Sequence, residues 1–359
     1  AIFGLGVVHV YLGEPEAAME LFHQMLAIDE GSGDQLGMAL AYNALGIVNR
    51  SQANYDAARS YYEQSRVIRE ALNDKLGMAD CYNNLGNLVL DLDDYSGARE
   101  YFSRALDLFR QIGEQRRQAA VLGNLGHLSS AQEDELAARH YFEEALAIRR
   151  KIRDQSGIAT SLYNVGCTYE HEGAFERARA FYGESLEIAT AIAEPASILS
   201  AEVALGHVGR AMGDYAGAQV HYHTAIRLAE QLSHNRRHAE ALNGLGMATA
   251  ALGEADAARG HYLASLRICR EKDFAACSLD NLVGVARLRA GAGDDSGAAR
   301  WVGLVLGHSA LRFDVRRDAE ALHAELAGRI PADEFEAALA AGRALDLNAV
   351  VDELLAAET

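Results

Sequence analysis

The amino-acid sequence predicts an all-α protein, a right-handed superhelix (α-solenoid) of about eight helix-turn-helix units that ends in a helical cap. Three observations carry this prediction. A Leu-Gly pair recurs at a constant spacing of forty residues, an alanine follows each glycine by twelve residues, and an aromatic residue follows that alanine by four. A unit of this size cannot bury its apolar face alone, so such units stack side by side. The chain has only 3 prolines, which favours long helices.

The register is unbroken through seven units. The pair occurs at Leu5-Gly6, Leu45-Gly46, Leu85-Gly86, Leu125-Gly126, Val165-Gly166, Leu205-Gly206 and Leu245-Gly246. The alanines are Ala18, Ala58, Ala98, Ala138, Ala178, Ala218, Ala258 and Ala298. The aromatics are Phe22, Tyr62, Phe102, Phe142, Tyr182, Tyr222 and Tyr262. An eighth copy continues as Val285-Ala286, with Val302 in place of its aromatic.

Each unit reads as two helices, for example 79–92 and 95–112, because apolar residues recur there at helical spacing. Gly86 and Ala98 are small, so we expect the two helices to approach closely. Phe102 then fills the space against the first helix of the next unit. The unit therefore has a fixed internal packing scheme.

Acidic residues and glycines mark the turns. Asp93-Asp94 turns the chain within a unit, as Gly213-Asp214 does in the sixth copy. The connections between units carry an acid at one register position, at Asp34, Asp74, Glu114, Asp154 and Glu194, with a glycine three residues later at Gly37, Gly77 and Gly157. This pattern predicts that a helix ends just before the acid and that the next helix is capped near it.

These residues resemble the tetratricopeptide repeat, whose pattern runs from an aromatic through Leu-Gly to alanines and a further aromatic. Tyr42 and Tyr82 match its first aromatic, and Ala105, Ala145 and Ala225 match its late alanine. The resemblance covers about residues 1–312 and implies the solenoid fold. The present unit is six residues longer than the usual 34, which we assign to a longer second helix and its connection.

The last segment, 313–359, leaves the repeat and should form three helices that cap the final unit. The first spans about Val315–Ala327, the second starts at Pro331, and the third follows Asp346 as its N-cap. The stretches 298–303 and 342–347 (Gly-Arg-Ala-Leu-Asp-Leu) resemble the extreme C-terminus of large bacterial STAND-ATPase and LuxR-type regulators. That resemblance implies a parent protein with further domains, and we expect the chain, which starts at Ala1 inside a repeat, to be part of it.

The amino-acid composition limits the kinds of partner that we expect. The net charge is −18, and a surface that follows phosphates needs clustered Lys and Arg, so we expect no nucleic-acid binding by this segment. No apolar run of 18 residues is present, so no membrane span is predicted. The four cysteines form no CxxC pair, and we expect reduced thiols in the core or groove of a cytoplasmic protein.

No catalytic arrangement is visible. The sequence lacks a P-loop, HExxH and GxSxG, so we expect no enzyme activity, no metal and no cofactor. Any ATPase of the parent would lie upstream of Ala1. The expected partner is a protein or peptide ligand, or another domain of the parent chain.

In the tetratricopeptide fold the first helix of each unit lines the concave groove. We expect a peptide-binding set there: Asn43, Asn83, Asn87, Asn124, His127, Tyr163, Asn164, His171, His207, Arg210 and Asn243. Repeated amides suit the backbone of an extended peptide, and Arg210 suits a carboxylate. The alternative is that amides such as Asn84, Asn124 and Asn164 join neighbouring helices.

Two functions stay open from the sequence. The first is a peptide- or protein-binding module that serves as the sensor arm of a multidomain regulator. The second is a structural scaffold or oligomerisation element that uses helix edges as its contact surface.

Overall fold

The computed structural model describes residues 2–357, and over that part it is helical with no strand. The chain divides into two compact units, which we call unit 1 (residues 1–172) and unit 2 (residues 173–359). Each of these units contains several of the forty-residue repeats, for which we keep the word repeat from here on. Unit 1 holds α1 (Ile2–Leu12), α2 (Pro15–Ser32), α3 (Gln35–Ser51), α4 (Tyr55–Ala71), α5 (Lys75–Leu90), α6 (Tyr95–Ile112), α7 (Gln115–Ala131), α8 (Glu135–Lys151) and α9 (Gln155–His171).

Unit 2 holds α10 (Phe175–Ala191), α11 (Pro195–Ala211), α12 (Tyr215–Gln231), α13 (Asn235–Ala251), α14 (Ala255–Glu271), α15 (Ala275–Gly291), α16 (Asp295–Gly307), α17 (Phe313–Ala327), α18 (Ala332–Arg343) and α19 (Leu347–Ala356). We call the odd-numbered helices α1–α15 the A helices and the even-numbered helices α2–α16 the B helices. The predicted sixteen repeat helices and three further helices are confirmed over the described residues. The division at residue 312 stays a prediction.

The core of each repeat is an aromatic side chain set against a glycine. Phe102 of α6 is fully buried, and a Cβ added at Gly86 would lie 2.7 Å from the Cδ1 atom of that ring. Tyr222 of α12 lies in the same way between Gly206 of its own repeat and Gly244 of the next. The aromatic ring therefore lies over the glycine of its own repeat, whereas the sequence predicts it only against the first helix of the next repeat; Tyr222 reaches that next helix as well, at Gly244.

The turns recur twice in each repeat with one backbone geometry. The residue at the centre of each turn has positive φ, and eight of these residues are not glycine: Ala53, Asn73, Asp93, Glu133, Arg153, Ala193, Ser233 and Asp273. The following N–H then donates to a carbonyl five residues back, as Asp94 does to Val89 at 2.9 Å. This is the Schellman arrangement that closes a helix end.

Side-chain caps begin many of the helices. Asp34, Asp74 and Asp154 accept from the N–H of the glycine three residues later, at 2.9, 3.0 and 3.4 Å. The predicted role of these acids is confirmed, whereas Glu114 and Glu194 make no such cap because their longer side chains do not return to the backbone.

Neighbouring A helices contact one another directly within each unit. These contacts join α3 to α5 and α5 to α7 in unit 1, and α11 to α13 and α13 to α15 in unit 2. Successive B helices in the described chain make no comparable contact. The A helices of each unit are thus the more closely spaced layer, and we call their shared solvent-facing side the inner face.

The three terminal helices pack on the last repeats. α18 crosses α16 so closely that a Cβ at Gly342 would lie 2.8 Å from the carbonyl carbon of Arg300. α19 lies against α14 and α15, where Arg270 donates to both carboxylate oxygens of Asp352 at 2.8 and 3.1 Å. Among the described helices, none is long and apolar enough to cross a bilayer.

Candidate binding face of the A helices

All eleven side chains predicted to form the groove lie on A helices. Asn164 and Asn243 are buried, whereas His127 and His171 are exposed. The remaining seven are half-buried: Asn43, Asn83, Asn87, Asn124, Tyr163, His207 and Arg210. The set is therefore distributed over the A helices of both units, and its members differ in how they are paired.

In unit 1 the amides pair with one another across neighbouring helices. Asn84 donates to the side-chain oxygen of Asn43 at 2.8 Å, and Asn124 donates to Asn83 at 2.9 Å. Asn164 lies 3.4 Å from the Nε2 atom of His127. We call these three contacts the amide ladder. They join α3 to α5, α5 to α7 and α7 to α9, which is the helix-joining role that the sequence left open.

The histidines of unit 1 are also engaged. Desolvation by the surrounding protein and, secondarily, the charge of Arg149 lower the pKa of His127. His171 lies 2.9 Å from a carboxylate oxygen of Glu135. Since Arg50 donates to Asp91 at 2.7 Å, its guanidinium also has a carboxylate within the chain.

Unit 2 carries a different arrangement. The amide nitrogen of Asn243 donates to Asp280 at 2.7 Å, but the side-chain oxygen of Asn243 has no partner and the residue is 5% exposed. The Nε atom of Arg210 is also buried without a partner. The Arg210 guanidinium contacts the Tyr222 hydroxyl and interacts electrostatically with the carboxylate of Asp280. We call Arg210, Asn243 and Asp280 the Arg210 cluster.

The pKa of Asp280 depends on its burial and on the charges around the cluster. Burial raises the pKa of Asp280 to about 6, and the carboxylates of Asp314 and Asp318 act in the same direction, against the opposing effect of Arg312 and Arg210. Arg312 itself donates to Asp314 at 2.7 Å. The inner face of unit 2 therefore combines a titratable acid with an unsatisfied donor and an unsatisfied acceptor.

Sequence reasoning missed Asp280. It lies six residues before the glycine position of its repeat, which Ala286 fills, and Asp80 and Glu240 occupy the same place in other repeats. Asp80 accepts a hydrogen bond from Arg117 at 2.6 Å on the same face. An acid that recurs at one register position is the signal that would have identified it.

His207 lies beside the cluster. Its Nε2 atom is 3.8 Å from Glu240, and its ring centre is 5.8 Å from that of Tyr222. Over the described residues, no three His, Cys, Asp or Glu side chains are arranged to hold a metal ion.

Comparison with solved structures shows the fold. A signal-transduction ATPase with numerous domains (STAND) and a tetratricopeptide-repeat sensor, from Pyrococcus horikoshii, matches with a TM-score of 0.65 and 16% identity. That match covers 100% of the present chain and 49% of the archaeal protein, so the chain spans about half its length.

Two bacterial regulators match similarly. The apo quorum sensor NprR from B. thuringiensis has a TM-score of 0.58 and 16% identity, over 86% of this chain and 85% of that one. The Rap conjugation regulator of plasmid pLS20, solved with the Phr* peptide, has a TM-score of 0.58 and 16% identity, over 82% of this chain and 78% of that one.

Comparison with curated proteins finds no match. The family model for the tetratricopeptide repeat matches residues 1–71, 37–111, 117–191 and 197–271, most of the chain. Together with the helix pairs and their glycine–aromatic core, this match shows that the chain belongs to the tetratricopeptide-repeat family.

Proposed function

We propose that the chain is a non-enzymatic module that binds a protein or peptide segment on the inner face of its A helices, with unit 2 as the main contact. The observation that carries this proposal is the Arg210 cluster. Buried polar atoms without partners are costly, at about 1–3 kcal/mol each, so folded proteins rarely keep them unless water or a ligand completes them.

The cluster offers a matched donor and acceptor. The Nε atom of Arg210 needs an acceptor, and the side-chain oxygen of Asn243 needs a donor. A peptide group supplies both a carbonyl oxygen and an N–H. A segment that binds through its main chain would therefore supply the kind of partner that each atom lacks.

The amide ladder of unit 1 is less suited to the same task. Its nitrogens already donate to neighbouring helices, so a ligand there would have to displace bonds that join repeats. Asn87 and Tyr163 are also on A helices and remain in the proposed contact set as secondary sites. The predicted groove residues thus divide into a primary group in unit 2 and a supporting group in unit 1.

The role in a parent protein follows from the same proposal. We assign the chain to the sensor or regulatory arm of a multidomain regulator that acts in the cytoplasm. Two observations support this assignment: the fold matches about half of a STAND protein with a repeat sensor, and a regulator solved with a peptide shares the fold. The binding surface would then report occupancy to the other domains of the parent.

Panning a displayed library of linear peptides on the full chain tests the proposal. Affinities of the selected peptides are then measured by fluorescence polarisation for the wild type, Arg210→Ala and Asn243→Ala. A lost charge-assisted hydrogen bond costs about 1.5–3 kcal/mol, so Arg210→Ala should weaken binding roughly 10- to 100-fold.

Arg50→Ala is the matched control, because Arg50 holds the same repeat position in unit 1. Its affinity should stay within about twofold of wild type, since an exposed ion pair contributes little. Selected peptides that bind both unit 2 variants as tightly as wild type would place the binding surface elsewhere.

A second candidate function, self-association through helix edges, rests on an exposed leucine patch in unit 1. Leu36, Leu40, Leu72 and Leu76 are 37–48% exposed and surround a cavity of about 460 Å³ beside the Asp80–Arg117 ion pair. Contiguous apolar surface often marks an interaction site. Sedimentation velocity of wild type and Leu36→Glu would decide: a dimer lost in the variant supports it, and a monomeric wild type excludes it.

A further inference from the structure

The connection between a B helix and the next A helix, which we call a joint, has one backbone geometry throughout the chain. In the first joint the N–H of Asp34 donates to the carbonyl of Asp29 at 2.9 Å. In the seventh joint the N–H of Phe274 donates to the carbonyl of Cys269 at 2.8 Å. The residue between the helices has positive φ in both, at Gly33 and Asp273. Equivalent Cβ atoms are therefore similarly placed in the different joints.

Two side-chain positions share the same space in the joints at Gly37, Gly77 and Gly157. One lies in the last turn of the B helix and the other eight residues later in the first turn of the A helix. In the fourth joint a Cβ at Gly157 would lie 2.8 Å from the Cδ atom of Arg149. Glycine at the second position thus leaves room for a long side chain at the first. In the seventh joint both positions are cysteine, Cys269 and Cys277.

The first joint gives the spacing of these positions. A Cβ at Gly37 would lie 2.6 Å from the Cγ atom of Asp29, the atom that corresponds to a cysteine sulfur. Since one carbon–carbon bond adds about 1.5 Å, the two Cβ positions can be no more than about 4.1 Å apart. Disulfides have Cβ atoms about 3.5–4.5 Å apart. The joint therefore brings the two Cβ positions within the upper limit of the separation found in disulfides.

The surroundings of the two thiols are polar and ordered. The Sγ atom of Cys277 lies 4.0 Å from the Ser265 hydroxyl, and the amide of Asn281 donates to that hydroxyl at 2.9 Å. A hydrogen bond from Cys277 lowers the pKa of Cys269, and the same interaction together with burial raises the pKa of Cys277. Cys269 is 1% exposed, whereas Cys277 is half-buried.

We propose that Cys269 and Cys277 are a redox-sensitive pair that forms a reversible disulfide across the seventh joint. The co-reactant is a hydroperoxide. The Sγ–Sγ bond forms as both S–H bonds break, the two thiols lose two electrons, and the O–O bond of the hydroperoxide is cleaved to an alcohol and water. A thiol reductant reverses the reaction by exchange.

The disulfide would act on the binding face. It ties α14 to α15, and Asp280 of the Arg210 cluster lies three residues after Cys277 on α15. Oxidation would hold the seventh and eighth repeats at a fixed spacing, so the joint couples redox state to the geometry of the inner face. This inference does not depend on which ligand the face binds.

Treatment of the full chain with hydrogen peroxide, followed by alkylation and tryptic mass spectrometry without reductant, tests the proposal. We expect peptides 268–270 and 273–287 to appear joined, lighter by two hydrogens than their sum, and to separate after dithiothreitol. Cys81 and Cys167 should be alkylated, because no cysteine lies eight residues from either. Cys269→Ser and Cys277→Ser should each abolish the joined species.

A composition-matched control moves one thiol along α15. Cys277→Ser combined with Ala276→Cys keeps four cysteines but turns the second sulfur about 100° around the helix. Joined peptides in this variant at the wild-type yield, or wild-type thiols that oxidise singly to sulfinic acid without any joined species, would overturn the proposal.

Discussion

The inner faces of the two units use the same helix positions in different ways. In unit 1 the polar side chains satisfy one another through the amide ladder, and Arg50 has Asp91 as its partner. In unit 2 the equivalent residues leave an arginine nitrogen and an amide oxygen unsatisfied beside an acid with a raised pKa. The difference shows that the repeats can keep the same helix packing while a few polar side chains change their partners. The face that joins helices in unit 1 is for this reason a candidate binding face in unit 2.

The largest expected effect concerns Asp280, the acid of the Arg210 cluster in unit 2. Because the pKa of Asp280 is raised to about 6, the folded state binds its proton more tightly than the unfolded chain does, and stability rises as pH falls. We expect the free-energy difference between wild type and Asp280→Asn to change by about 2 kcal/mol in favour of wild type from pH 7 to pH 4. Urea denaturation across that range measures it, and a difference that is flat with pH would contradict it.

The next effect concerns the packing of an aromatic ring against a glycine, which both units share. A Cβ at Gly126 would lie 2.6 Å from the Cδ1 atom of Phe142, and one at Gly206 would lie 2.6 Å from the Cε1 atom of Tyr222. Gly126→Ala and Gly206→Ala should each destabilise the chain by about 1–3 kcal/mol through overpacking.

Gly123 is the control for this substitution, because it lies on the same helix as Gly126 with nothing within 4 Å of an added Cβ. Gly123→Ala should stabilise by up to about 1 kcal/mol, since alanine favours the helix. Equal melting-temperature shifts for the two alanine variants on α7 would show that the packing scheme is wrong.

A smaller effect is expected from the ladder itself. Asn124→Ala removes the hydrogen bond to Asn83 and should cost about 0.5–1.5 kcal/mol of stability while leaving peptide affinity nearly unchanged. Asn87→Ala, on the neighbouring α5, should cost less. Loss of affinity without loss of stability in the Asn124 variant would move unit 1 from a structural face to a binding face.

The smallest effect is expected at Arg50. Its ion pair with Asp91 is about one-third exposed on both sides, so Arg50→Ala should change stability by about 0.2–1 kcal/mol. Arg210→Ala, at the equivalent position, should weaken ligand affinity far more than Arg50→Ala does in the same assay. Indistinguishable behaviour of the two variants would remove the contrast between the units.

Local signals in the sequence were enough to predict the helices. Leu-Gly pairs and their aromatics describe contacts within a single repeat, and Asp94 needs only the next turn to cap its helix through the N–H of Gly97. The tail was also predictable, since Asp346 caps α19 as expected. These features depend on residues that are neighbours along the chain.

Pairing on the inner face was not predictable in the same way. Asn83 and Asn243 hold the same register position, yet Asn83 accepts from Asn124 whereas Asn243 donates to Asp280. Those partners lie 41 and 37 residues away, so small rotations of a helix decide which side chain each amide reaches. Arg149 likewise donates to the carbonyl of Gly157 in the next helix instead of simply facing solvent at its own helix end.

The turn that recurs twice in each repeat has a consequence for how such a chain changes length over generations. Each turn contains a residue with positive φ, followed by the same closing hydrogen bond. Asn73 and Asp74 form one such turn, and Arg153 and Asp154 form another. If a duplication or deletion begins and ends in equivalent turns, the two helices that become neighbours are connected by a turn of the same backbone geometry. Genetic exchange at these points would add or remove whole repeats in phase, and only the inner-face residues would then have to adapt.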